Sequence, residues 1–158
     1  FSVTRSVVPT AGPVDHKNAT YLIERQSVTL RGGRAESSII PGSASNVVTK
    51  YFGNEASGDV DGDGVEDVAF ILTQSSGGSG TFYYAVVAIK TVNGYRGTNA
   101  VFLGDRIAPQ TTEIQGGTVI VNYAERAGGE PMTAEPSRGV SRYLKIVGTS
   151  LTDVPPRP

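Results

Sequence analysis

The sequence predicts an all-β fold, a single antiparallel β-sandwich or barrel-like domain with one acidic loop leading into a central strand. Three observations carry this. Twenty of the 158 residues are glycine and nine are proline, so turns are frequent and elements short. Two runs, Val68–Leu72 and Phe82–Ile89, are continuously apolar and β-rich. Unbroken apolarity, as opposed to alternation, implies strands covered on both faces. The length fits one domain with a real core, and no internal repeat is evident.

Taken in order, Ser2–Val8 is rich in β-branched residues and reads as a strand, while Pro9–Asn18 reads as a tether broken by proline and glycine. A hairpin of Thr20–Glu24 and Ser27–Leu30 follows, with a turn at Arg31-Gly32-Gly33-Arg34. Pro41-Gly42 breaks the chain, and Val47–Phe52 is a short strand leading towards the acidic stretch. The two apolar runs come next as the core pair. The Gly/Ser connector between them, Ser75–Gly80, lacks the Lys-Ser/Thr of a phosphate cradle and is expected to be a plain hairpin loop.

Val92-Asn93-Gly94-Tyr95 is a hairpin turn signal, and Ala100–Leu103 returns as a strand before a loop at Gly104–Gln110. Thr111–Ile114 and Thr118–Tyr123 form another hairpin, with Val119, Val121 and Tyr123 on one face. Ala127–Gly139 is a long loop, and Tyr143–Val147 is the last strand, with Leu144 and Ile146 facing in. The expected organisation is an N-terminal strand and tether over 1–18, a β domain over 19–150, and a Pro-rich tail over 151–158.

The acidic stretch carries the chemistry. Asp59, Asp61, Asp63 and Asp67 occupy relative positions 1, 3, 5 and 9, with Gly64 at position 6. Hard cations such as Ca2+ take about six to eight oxygen ligands, and alternate residues of a tight loop aim several carboxylates inward. Val65, at position 7, is expected to add its backbone carbonyl. Two carboxylates held about 4–5 Å apart repel by about 1–4 kcal/mol. A cluster of them beside an ordered strand therefore calls for a positive guest. Position 12 is Phe70, where a helix-flanked calcium loop has glutamate, so the loop is expected to enter a strand.

Here Ala56–Leu72 resembles the calcium loops of FG-GAP and VCBS repeats, which ride on the strands of integrin-type propellers. The resemblance implies calcium as the cofactor and gives Asp67 the role of closing the coordination shell. It occurs once, whereas a propeller needs several blades at regular period, so it carries the loop and not the propeller. Over its length the chain also resembles uncharacterised bacterial envelope or secreted domains, through Ala19–Ile23, Pro41–Ser45, Gly80–Tyr84 and Ala108–Glu113. That likeness implies an exported, bacterial origin and no particular activity.

Composition narrows the function. Formal net charge is −1, from 14 basic and 15 acidic residues, and no basic run is present, so nucleic acid is not an expected partner. No stretch approaches the roughly 20 apolar residues of a membrane-spanning helix. With no cysteine there is no disulfide framework, zinc-thiolate site or thiol nucleophile. Bound calcium is the expected staple instead, in an extracellular or cell-surface setting. The chain opens at Phe1, as expected of a processed mature chain or an excerpt.

No enzymatic activity is expected. His16, the sole histidine, lies in the tether beside Asp15 and is expected on the surface, without the rigid scaffold a serine triad needs. Glu113, Glu125, Glu130 and Glu135 are scattered loop acids, and Asp105 alone does not make a second cation site. The reading that fits is a calcium-stabilised extracellular structural subunit that self-assembles into a fibre or surface layer, its partners being other copies of itself. Ser2, Val3, Thr4, Arg5, Ser6, Val7 and Val8 are the expected assembly strand, added to a neighbour's sheet or retained in their own. The alternative is a monomeric, calcium-binding exported or lipid-tethered module that meets a protein or glycan through the 127–139 or 75–80 loop.

Overall fold

Strand-forming stretches separated by glycine-rich turns pair with their sequence neighbours. The computed structural model describes residues 15–38, 46–76 and 80–155. The expected assembly strand Ser2–Val8 and the Pro41-Gly42 break lie outside the described residues. A hairpin of β1 (Thr20–Ile23) and β2 (Gln26–Thr29) comes first. A six-stranded sheet follows, built from β3 (Arg34–Ser38), β4 (Asn46–Gly58), β5 (Asp67–Ser75), β6 (Phe82–Thr91), β7 (Gly94–Gly97) and β8 (Val101–Asp105). Its order is β3-β4-β5-β6-β7, with β8 also pairing β6. The last four strands, β9 (Ala108–Gln115), β10 (Thr118–Glu125), β11 (Arg138–Val147) and β12 (Ser150–Asp153), form a second sheet in the order β12-β11-β10-β9. The ladders are antiparallel throughout and no α-helix occurs among the described residues, so the domain is all-β and sandwich-like.

The two apolar runs are β5 and β6, paired from Val68↔Ala88 to Gln74↔Phe82. Their lack of alternation has a direct cause. Ala69, Ile71, Ala85, Val87 and Ile89 face the second sheet, where Val119, Val121, Tyr123 and Leu144 meet them. Val68, Phe70, Leu72, Val86 and Ala88 face the other way, under Tyr21, Ile23 and Leu30 of the first hairpin and its exit. Each large apolar side chain so covered contributes roughly 1.5–3 kcal/mol, and here both faces of the ribbon collect it.

Several boundaries differ from the expected ones. β4 runs for 13 residues, not six, because bulges between Tyr51 and Ala56 let it continue through polar residues. Gly53 and Asn54 take positive φ there (122° and 52°). The first hairpin turns at Glu24 and Arg25, both left-handed, and Arg31–Arg34 instead leads β2 into β3. The expected loop at Gly104–Gln110 is largely strand, since β8 reaches Asp105 and β9 starts at Ala108. β11 begins at Arg138, five residues before the expected start, and the supposed tail supplies β12, with Leu151 buried. The β domain therefore extends past residue 150.

The supposed tether is also part of the fold in its last residues. Asp15 caps a 3₁₀ turn, His16–Asn18, by accepting from the Lys17 N–H at 2.8 Å. His16 is not a free surface residue. Its side chain is 16 % exposed and lies among Phe70, Tyr51 and Tyr95, with ring centroids 5.3, 5.9 and 6.0 Å away. Its Nε2 is 2.5 Å from Glu55 Oε2, which also accepts from the Tyr51 hydroxyl, while the Tyr21 hydroxyl donates to the His16 carbonyl at 2.7 Å. Buried aromatic residues at a chain entry have made this local anchor, which proline and glycine counting does not detect.

Side chains close the flanks of the second sheet. Asn99 accepts from Leu151 N (2.8 Å) and donates to Leu151 O (3.0 Å), covering the outer edge of β12. Its own backbone bridges Leu22 of β1. On the other flank Asn54 Nδ2 donates to the Gln110 carbonyl of β9 at 3.3 Å. Arg142 holds Asp153 through two 2.8 Å bonds and donates to the Phe102 carbonyl at 3.2 Å, linking β11, β12 and β8.

Two predictions follow from this packing. The hairpin lies so close over β7 that a Cβ on Gly97 would stand 2.0 Å from the Thr20 carbonyl oxygen. Gly97→Ala is expected to cost at least about 2 kcal/mol, or roughly 4–8 °C in melting temperature, measured by thermal denaturation. Burial raises the Glu55 carboxyl pKa, but hydrogen bonds from Tyr51 and His16 outweigh it and leave Glu55 below the ordinary glutamate range. A depressed folded-state pKa stabilises the protein above the unfolded pKa, and that stabilisation is lost as pH falls through the folded one. Acid unfolding curves of Glu55→Gln should therefore be flatter than those of the parent protein.

Candidate metal centre

The acidic loop, Asp59–Glu66, joins β4 to β5, and Asp67 is the first residue of β5. Its shape is written in short side-chain-to-backbone bonds. Asp59 Oδ1 accepts from Gly62 N and its Oδ2 from Gly64 N, both at 2.8 Å. Asp63 Oδ1 accepts from Val65 N at 2.9 Å, and Asp61 Oδ1 from Asp63 N at 3.4 Å. Gly62 and Gly64 sit at φ +83° and +84°, a conformation that a side chain disfavours and that this winding requires.

Two buried residues fix the loop to the body. Val60 enters the core between the sheets. Asp67 has no solvent exposure, and its two oxygens accept from Val60 N and Lys90 N, each at 2.9 Å. One carboxylate thereby ties the loop, the start of β5 and the end of β6 together. Each of its oxygens keeps a second lone pair for a further partner.

Asp59, Asp61, Asp63 and Asp67 converge, with ligand oxygens all within 4.8 Å of one another. They form a group able to hold a metal ion. Glu66 is exposed and stands outside it. Val65 gives its N–H to Asp63 and leaves its side chain largely in solvent. The crowding shows in the acid strengths. Loss of hydration, then Asp63 and the charge of Asp67, pushes the Asp61 carboxyl up to about 6. Backbone N–H groups, that of Gly64 foremost, hold Asp59 below the usual carboxylate range.

The donor set is oxygen alone, which suits a hard cation and not the softer metals that prefer imidazole or thiolate. A hollow of about 650 Å³ opens beside the group, between Asp61, Asp63 and Val65 on one side and Lys90 and Arg96 on the other. Lys90 turns its ammonium over the Tyr95 ring, 5.0 Å from the centroid. The part played by the Lys90 backbone and by Val60 left no signal in the sequence, because the first depends on where β6 ends beside β5 and the second on how the loop folds back onto the core.

The other acids have local duties. Asp105 accepts from Thr81 N at 3.0 Å and pairs with Arg106, which lowers its pKa. Glu113 accepts from Gln115 and Asn122, Glu125 lies 3.8 Å from Arg138, and Glu130 accepts from Ala127 N. Within the 127–139 loop, Ala134 is tied down through its carbonyl by Arg126, whose other bond goes to the Arg106 carbonyl.

The two kinds of aspartate are separable by mutation. Asp67→Ala leaves two buried backbone N–H groups without acceptors, so it is expected to cost about 2 kcal/mol or more with calcium and with chelator alike. Asp61→Ala touches only the exposed winding and removes one member of the group able to hold a metal ion. It should lower the melting temperature in calcium and change it little in chelator, as thermal denaturation under both conditions will show.

No protein-family model matches the chain, and neither does any characterised protein or solved structure. The likeness to FG-GAP and VCBS loops rests on this loop alone.

Proposed function

We propose that the protein is a non-enzymatic, calcium-stabilised structural subunit that acts outside the cell. The observation that supports calcium is the convergence of four aspartate carboxylates within 4.8 Å on a loop already wound by its own hydrogen bonds. Calcium accepts irregular oxygen cages of this type, and the cation offsets the mutual repulsion of the carboxylates. Holding an ion at this junction stabilises the mouth of the β5–β6 ribbon, and through it both cores. The lack of cysteine fits such a staple, since no disulfide can serve the same end.

In this reading the subunit assembles with copies of itself into a fibre or layer, with Ser2–Val8 as the added strand. Among the described strands, Asn99 and Asn54 occupy one backbone position each on the flanks of the second sheet, at Leu151 and Gln110, and β2, β3, β7 and β8 each have an edge that no ladder pairs, to which a strand can be added. A monomeric binding module is the second reading, favoured by an aromatic hollow at the end of the β6 face.

Calcium at about 100 times its dissociation constant adds about 2.7 kcal/mol to folding, roughly 5–11 °C in melting temperature. Calorimetric titration should show one saturable site. Sizing at several protein concentrations, with calcium and with chelator, should show larger species in calcium, and deleting residues 1–10 should leave a folded monomer. An oligomeric state indifferent to concentration, calcium and the deletion overturns the assembly reading and leaves the binding module.

A further inference from the structure

The first hairpin covers one face of β6 but stops short of its end. Its turn, Glu24–Arg25, lies where β6 still has Phe82 and Tyr84 on that face. Beyond the turn is a hollow of about 410 Å³. Phe82, Tyr84 and Phe102 line it, the last brought in from β8 as the register partner of Tyr84. Their rings form one group, with centroids 5.4 Å apart for Tyr84 and Phe102 and 6.2 Å apart for Phe82 and Phe102. Phe102 is 46 % exposed and so offers ring surface to the hollow.

Among the described residues the charge lining this hollow has one sign. Glu24 stands on its rim and accepts from the Tyr84 hydroxyl at 3.2 Å. It forms no salt bridge with any cation among the described residues. Among the described residues its lining contains no lysine, arginine or histidine. Gln74, also in the wall, already donates its amide to Thr49 at 3.0 Å. An anion therefore finds no positive group here, and a neutral apolar ligand would strip water from Glu24 without replacing it. Aromatic faces carry negative potential, and a carboxylate beside them adds a full charge, so the combination selects a weakly hydrated cation.

We propose that this hollow binds a small organic ammonium ion of the choline type. The methylated nitrogen sits against Phe82, Tyr84 and Phe102, and Glu24 supplies the countercharge. The site lies on the hairpin side of the β5–β6 ribbon and does not depend on the metal reading. Free choline and the headgroup of a phosphatidylcholine surface present the same chemistry.

The test is an amide NMR titration of the full chain with choline chloride, tetramethylammonium chloride and the neutral isostere 3,3-dimethylbutan-1-ol. Saturable shifts centred on Phe82, Tyr84 and Phe102 are expected with both cations, and binding about tenfold weaker with the isostere. Phe102→Ala and Glu24→Gln should each weaken choline binding by about tenfold at unchanged melting temperature. Should Phe102→Ala lower the melting temperature, Glu24→Gln, at an exposed turn, carries the test by itself. Equal affinity for choline and the isostere, shifts that do not saturate, or unchanged binding in Glu24→Gln overturns the proposal. Co-sedimentation with phosphatidylcholine vesicles but not phosphatidylglycerol vesicles identifies a lipid headgroup as the source. Binding of choline without vesicle binding identifies a soluble ammonium ligand, and vesicle binding that requires phosphatidylglycerol overturns the assignment.

Discussion

A carboxylate shut away from water, Asp67, sets the constraint on which the loop and the ribbon below it depend. Burying such a group is tolerated only when hydrogen bonds replace its hydration. Here the replacements are two main-chain N–H groups from different parts of the chain, Val60 and Lys90. The consequence is geometric as well as energetic. Asp67 cannot keep both bonds unless the loop returns to the start of β5 just where β6 ends, so one side chain fixes the position of the whole acidic winding. The remaining aspartates then need only local bonds to reach the same point in space.

The double coverage of β5 and β6 explains how a protein without tryptophan or disulfides builds a firm centre. One face is closed by a second sheet and the other by a hairpin only a few residues long. So small a cover needs support at its base. The cluster of His16, Tyr51, Phe70 and Tyr95, closed by Glu55, lies beside the hairpin and holds the entering chain against the sheet. The same economy ends the hairpin's cover at Glu24, beside Tyr84, so the aromatic hollow and the anchored entry are two ends of one arrangement.

Much of this was legible from residues in order. The unbroken runs at Val68–Leu72 and Phe82–Ile89 identified the ribbon, and the spacing of four aspartates with Gly64 identified the loop. Alternation at Val119, Val121 and Tyr123 gave the correct inward face of β10. What was not legible has a common physical origin. β4 exceeds its expected length because a bulge at Gly53-Asn54 interrupts its pattern without ending its pairing. β12 was hidden because four residues with one buried leucine make no pattern by themselves, and their partner in β11 supplies the reason they form a strand. His16 is expected in solvent because it lies in a segment broken by proline and glycine, whereas its neighbours in space are aromatic. In each case the deciding contact is made by pairing or packing with another segment and not by the residues of the element itself.

The flanks of the second sheet carry one more implication. Exposed backbone at a sheet margin is the usual seed of aggregation. At Leu151 that backbone is already occupied by the amide of Asn99, which imitates a strand one residue long. The opposite margin lies against β4. At these two positions a foreign ribbon finds no open backbone, and on the rim of β3 the charged pair Arg34 and Glu36 makes flat, dry association unfavourable while leaving the backbone itself free to pair with a chosen strand.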